Sequence, residues 1–144
     1  MTVTASAKLA IHELLGRSAL ALDERDVAGL RDTFSKQATL SIVIGDGEHR
    51  TKADPITFDG RDAIMDLMTG SMDEQSDLRR HVITNVIFDS MGNKEARVTS
   101  YLQIYSIENG SVRCVSTGLY RDRLVRKKRG WRIAERLIDL DLPY

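Results

Sequence analysis

Residues 118–141, GLYRDRLVRKKRGWRIAERLIDLD, decide the fold. On both sides of KKRG the chain alternates apolar with polar side chains, and KKRG is short and closes on a glycine, as a tight hairpin requires. This predicts two antiparallel strands, Val112–Val125 and Trp131–Asp139. On the second, Trp131, Ile133, Glu135 and Leu137 alternate with Arg132, Ala134, Arg136 and Ile138. Working backward, the same signature predicts strands at Arg79–Phe88 and Ala96–Ile107. Their connectors, MGN and ENG, are equally short and carry glycine or asparagine. Successive hairpins make successive strands antiparallel neighbours.

Ahead of this meander the periodicity changes. Leu9, Ile11, Leu14, Leu15, Ala19 and Leu22 recur near helical spacing, predicting a helix over Ala5–Leu22. Asp26 can cap a second, Val27–Ser35, with Leu30 and Phe34 facing inward. Ala38–Ile44 is β-branched and apolar, and the polar GDGEHRTKADP follows it. Gly60–Met68 resumes helical spacing through Ile64, Leu67 and Met68. Helices first and an antiparallel meander afterwards is an α+β pattern, with helices on one face of the sheet. No repeat or proline-rich linker divides the chain, which predicts one domain over residues 1–144.

Composition narrows the function classes. The chain has 144 residues, 42% hydrophobic and 29% charged, the profile of a globular protein. Twenty-one acidic and twenty-one basic side chains cancel, so net charge points to neither nucleic acid nor an anionic membrane. No apolar run reaches the ~18–20 residues that span a bilayer. The start, MTVTASAKLAIHELL, lacks the features of a secretory signal, and the expected location is cytoplasmic. A single cysteine, Cys114, excludes an intramolecular disulfide and a thiolate cluster. GDGEHR, with His49, fits no calcium loop, and VRKKRG is too short a basic run to argue for nucleic acid. Neither metal nor nucleotide phosphate has a motif here.

Chemistry concentrates in Arg79–Asp89, RRHVITNVIFD. Strict alternation puts His81, Ile83, Asn85 and Ile87 on one face and Val82, Thr84, Val86 and Phe88 on the other. A curved sheet covered by helices leaves a cone-shaped cavity where an inward polar side chain can react. His81 there is either a base or a satisfied core histidine. Asn85 either lines the far end of the pocket or bonds a neighbouring loop.

The segments ALDERDVAGLRDTF, FDGRDAIMDLM, RRHVITNVIFD and GLYRDRLVRKKRGWRIAERLIDLD, in this order, resemble the SnoaL-like branch of the NTF2-like (cystatin-like α+β) superfamily. The resemblance implies a curved antiparallel sheet closed into a cone by three N-terminal helices, with an apolar pocket inside. The pattern is most similar to hexachlorocyclohexane dehydrochlorinase and bile-acid dehydratase. Carried over by position, their aspartate, histidine and arginine fall on Asp23, His81 and Arg136. The resemblance implies that His81 removes a proton, Asp23 orients it and Arg136 holds a developing anion, with no metal or organic cofactor.

Neutral imidazole, with an unperturbed pKa near ~6.5, can take a proton at neutral pH, and a carboxylate on one ring nitrogen fixes the tautomer. Arginine stabilises an anion but cannot supply the acid. The chain departs from the dehydratase at Ser18, where that enzyme has a tyrosine, and around Gln103 and Ile104, where a second pocket acid is missing. Tyr101 and Tyr120 are candidate acids by residue type, and Ile83 is a candidate pocket residue. The expected function is a cofactor-independent lyase or isomerase acting on an apolar polycyclic, steroid, terpenoid or polyketide-type small molecule. The alternative is a non-catalytic module resembling the small subunit of ring-hydroxylating dioxygenases. The resemblance also implies a homo-oligomer, dimer or trimer, paired through the outer sheet face, with Val82, Val86, Phe88 or the strand through Val125 in the contact.

Overall fold

The structure, a computed structural model, describes residues 5–48 and 52–144, so the reading of His49 lies outside the described residues. Helices α1 (Ala5–Asp23) and α2 (Val27–Thr33) lead into strand β1 (Phe34–Ile44). Strand β2 (Ile56–Asp59) and helix α3 (Arg61–Glu74) follow. The meander is then β3 (Leu78–Met91), β4 (Glu95–Glu108), β5 (Ser111–Lys127) and β6 (Gly130–Leu140).

The α1–α2 corner is built locally. Arg25 adopts a left-handed φ of 58°, and the amides of Arg25 and Asp26 donate back to the carbonyls of Leu22 and Ala21. That is a Schellman stop, and it satisfies carbonyls the helix end would otherwise leave open. Asp26 then caps α2 as expected, accepting from the Gly29 amide at 3.0 Å. The second helix is shorter than its periodicity predicted. Phe34 is already extended (φ −97°, ψ 143°) and opens β1, which the sequence placed only from Ala38.

The sheet runs β2-β1-β6-β5-β4-β3. β3 through β6 pair antiparallel as expected, whereas β1 lies parallel to β6, making the sheet mixed. The sequence also did not reveal β2. It returns along one edge of β1, leaving the other edge for β6 at the end of the chain. The sheet is unclosed, with β2 and β3 as its two edges, and helices cover one face: α1 packs on β3 and β6, and α3 on β1. Ile11, Leu15, Phe34, Leu40 and Ile64 are fully buried between the layers, each contributing ~1.5–3 kcal/mol of apolar transfer.

Two β-bulges correct the expected alternation. On β3 the pairing steps from Thr84↔Tyr101 to Ile87↔Thr99, so Asn85 and Val86 together oppose one residue, and Asn85 has φ 52°. Beyond it the faces exchange. Val86 and Phe88 pack against the core, while Ile87 is 59% exposed. Val86 and Phe88 are thus removed from the outer face, where they were expected to serve an oligomer contact. On β6 the pairing steps from Leu124↔Ile133 to Arg123↔Glu135, leaving Ala134 as the extra residue. Trp131 and Ile133 therefore share the buried side with Arg136, instead of opposing it.

Candidate active site

Asp23 sits at the last position of α1, where the negative end of the helix disfavours a carboxylate. Its partner is on β3. The His81 backbone amide donates to Asp23 Oδ2 at 2.8 Å, and His81 Nδ1 lies 2.6 Å from Asp23 Oδ1. Both side chains are nearly sealed, at 8% exposure for His81 and 4% for Asp23. A carboxylate accepts hydrogen bonds, so in the neutral imidazole the proton belongs on Nδ1. Nε2, which has no hydrogen-bond partner among the described residues, is left as the basic nitrogen, and His81 lines both an internal cavity and a groove beside α1.

The second polar cluster joins β5 to β6. Asp122 and Arg136 are directly cross-strand, and Arg136 donates from Nε to Oδ1 at 2.8 Å and from Nη2 to Oδ2 at 2.9 Å. The guanidinium carbon stands 3.9 Å from the centre of the Tyr120 ring. Burial by itself pulls the Arg136 pKa down, but the charge and hydrogen bonds of Asp122 together outweigh it and hold the guanidinium charged. Burial pushes the Tyr120 phenol up, against the opposing pull of Arg136, so it stays a neutral O–H donor. That hydroxyl has no hydrogen-bond partner among the described residues.

His81, Tyr120 and Arg136 line one cavity of about 130 Å³ between the helices and the sheet. Leu22, Leu30, Phe34, Leu67, Met68, Leu102 and Ile138 make its wall mostly apolar, with Ser18, Ser71, Gln75, Arg79 and Tyr144 adding polar groups. The Ser18 hydroxyl is turned back to the Leu15 carbonyl at 2.7 Å.

The structure brings together Asp23, His81, Arg136 and Tyr120, but leaves other expected residues outside. Tyr101 is 52% exposed and does not line the cavity, because it alternates on β4 with the buried Ser100 and Leu102 and pairs with Thr84 on the outer side. Asn85 is exposed, since it is itself the bulge residue. Ile83 packs against both core clusters and lines a shallow groove beside α1, behind His81.

Asp122 escaped the sequence reading. Its signal was present, because Gly118, Tyr120, Asp122 and Leu124 alternate on one face and Asp122 is the charge among them. Counting back from the KKRG turn without a bulge, however, pairs Asp122 with Glu135. Among the described residues no group of three or more His, Cys, Asp or Glu side chains is placed to hold a metal ion.

Comparison with known proteins agrees with this architecture. Residues 3–137 match the family model described as a SnoaL-like domain. No curated protein matches. Among solved structures, a protein of unknown function with a cystatin-like fold from Nostoc punctiforme is 23% identical, with a TM-score of 0.80 over 99% of this chain and 98% of that one. Aln2 from a Streptomyces species is 18% identical, with a TM-score of 0.80 over 98% and 95%. A chain assigned as the beta subunit of an aromatic-ring-hydroxylating dioxygenase from Novosphingobium aromaticivorans is 16% identical, with a TM-score of 0.79 over 96% and 92%. At these identities the likeness is one of fold.

Proposed function

The chain belongs to the SnoaL-like domain family, and on that premise we propose that it catalyses cofactor-independent proton transfer on a mostly apolar small molecule, as a lyase or isomerase. The observation that carries this reading is the double clamp of Asp23 on His81, a residue that lines an apolar cavity and whose Nε2 is left without a hydrogen-bond partner among the described residues. An imidazole held at both its backbone amide and its ring nitrogen loses little freedom when it acts.

In the proposed reaction, Nε2 accepts a proton from an acidic C–H of the substrate. The electron pair released moves into an adjacent carbonyl, or expels a leaving group from the next carbon. In the first case the proton returns to another carbon, which is isomerisation, or the enolate carbon attacks a second carbonyl of the substrate and the proton goes to the resulting alkoxide oxygen, which is ring closure. In the second it leaves with solvent, which is elimination. Asp23 stabilises the imidazolium meanwhile. The Tyr120 hydroxyl and Arg136, whose Nη1 is not used by Asp122, donate toward the developing oxyanion or departing anion. Tyr120 is also the candidate acid, which favours reactions passing through an enolate. This assignment of roles resembles the dehydrochlorinase arrangement, with Asp122 added to hold Arg136.

The cavity sets the scale of the reacting portion. At about 130 Å³ it approaches the engineered cavity of ~150 Å³ that binds benzene, so one ring fits and a polycyclic substrate must extend beyond it. The same volume supports a second reading. It lies below the ~300–1,000 Å³ usual for ligand pockets, as expected of a non-catalytic module whose core is largely filled. Copurification with an iron-containing large subunit would favour that module.

The test is solvent deuterium exchange, followed by NMR, on a panel of cyclic ketones with enolisable hydrogens. His81→Ala should abolish enzyme-dependent exchange while the circular dichroism spectrum stays native. Asp23→Asn should lower exchange ~10²–10⁴-fold by offering His81 the wrong partner. A His81→Ala variant that exchanges a responsive ketone at the wild-type rate would refute the mechanism. Absence of exchange with every ketone would favour the module.

A further inference from the structure

A second concave site lies behind the cavity, where the β5–β6 turn meets the start of β1 and the start of α3. It is an open groove of about 820 Å³, and seven of its thirteen lining residues are lysine or arginine against one acid, Asp32. The chain as a whole has equal numbers of acidic and basic residues, so charge has been sorted into this groove.

Two of its cations are partly engaged. Arg123 lies 3.2 Å from Glu135 and 3.9 Å from Glu95, and Arg132 lies 3.6 Å from Asp32. The other five, Lys36, Arg61, Lys127, Lys128 and Arg129, have no carboxylate within ion-pair distance among the described residues. Asp62, which feels the charges of Arg61 and Lys36, is bonded to Arg31 at 2.7 Å.

A second feature points the same way. The Nε of Arg61 is buried without a hydrogen-bond partner, while its Nη1 reaches the Phe34 carbonyl. A buried, unpaired guanidinium N–H costs free energy unless an acceptor meets it. Arg61 also opens α3, a helix of 14 residues whose N-cap, Gly60, supplies no side-chain acceptor. The positive end of the helix dipole adds to the cationic side chains, offset in part by Asp62 in the first turn, itself paired with Arg31.

We infer that this groove binds a small molecule bearing a multiply charged phosphate group, a diphosphate or longer. Spaced cations, a helix start and an arginine fork suit the tetrahedral oxygens of such a group better than a lone carboxylate. The volume is that of a pocket for a whole ligand, not for a single ion. Phe34 lines both this groove and the inner cavity, so the two are neighbours at the start of β1. The inference stands on the groove alone and does not require the proposed reaction.

Isothermal titration calorimetry with inorganic tripolyphosphate, pyrophosphate and phosphate on the full chain tests it. Tripolyphosphate should bind saturably at one site, more tightly than phosphate, and more weakly as sodium chloride is raised. Lys128 and Arg129 are exposed in the β5–β6 turn, so K128A/R129A should fold normally and weaken tripolyphosphate by about tenfold or more. His81→Ala should bind it like the wild type. No saturable binding at millimolar tripolyphosphate, or unchanged affinity in K128A/R129A, would overturn the inference. So would binding to phosphatidylglycerol vesicles or duplex DNA where tripolyphosphate fails.

Discussion

Asp122→Ala should be among the most damaging single substitutions in this protein. The carboxylate is fully buried, Arg136 is 6% exposed, and two hydrogen bonds of 2.8 and 2.9 Å join them. Removing Asp122 leaves a guanidinium in the interior with its charge uncompensated, and breaking a buried pair in this way costs ~3–5 kcal/mol. With a urea slope of about 2 kcal/mol/M for a domain of this size, the midpoint should fall by about 1.5–2.5 M. Such a loss is a large fraction of the ~5–15 kcal/mol that holds a domain folded. Trp131, the sole tryptophan, lies in the core and provides a fluorescence signal for the unfolding curve.

The decisive comparison is the double variant Asp122→Leu with Arg136→Met. It removes both charges together and leaves apolar groups of similar size, and such replacements are often neutral or stabilising. The double variant should therefore be more stable than Asp122→Ala. A midpoint shift for Asp122→Ala below about 0.5 M, or a double variant as unstable as the two single changes added together, would refute the reasoning.

Two further outcomes follow from the same core. The folded state raises the Tyr120 pKa above its unfolded value near 10, so the folded chain holds the proton while the unfolded chain loses it. Stability is then fully present below pH ~10 and is lost above it at up to ~1.4 kcal/mol per pH unit; Tyr120→Phe, compared by urea titration from pH 8 to 11, should remove that part of the slope. Parallel pH dependences in the two proteins would contradict it. Gly118→Ala should destabilise by ~1–3 kcal/mol, because its Cβ would collide with the Asp139 carbonyl oxygen on the neighbouring strand. An unchanged thermal midpoint for that variant would show that β5 and β6 can separate there without cost.

Much of this molecule is written in local sequence. The 3.6-residue spacing of Ile11, Leu14 and Leu15, the Asp26 cap and the glycine- and asparagine-bearing turns act over a few residues, and they define the helices and the meander. The order of segments also carried the family, together with the pairing partners Asp23 and His81, although 58 residues separate them. What local pattern could not determine is where a strand changes face. Strict alternation puts Asn85 and Ile87 beside His81, and puts Arg136 opposite Trp131 and Ile133. One extra residue on β3 and another on β6 reverse both assignments, bringing Val86, Phe88 and Arg136 inward.

A bulge is a tertiary decision. It costs a disrupted stretch of ladder, and is kept because the bent strand packs better around the helices. The parallel pairing of β1 with β6 has the same character. It joins the edge of β1 that β2 leaves open to a strand at the far end of the chain. The sequence alone therefore determined the helices, β1 and the meander, though not β2, and by family resemblance it pointed to the histidine and aspartate that meet. Only packing decided that Arg136 turns inward to Asp122 and not outward to solvent, because that choice rests on a single residue of register.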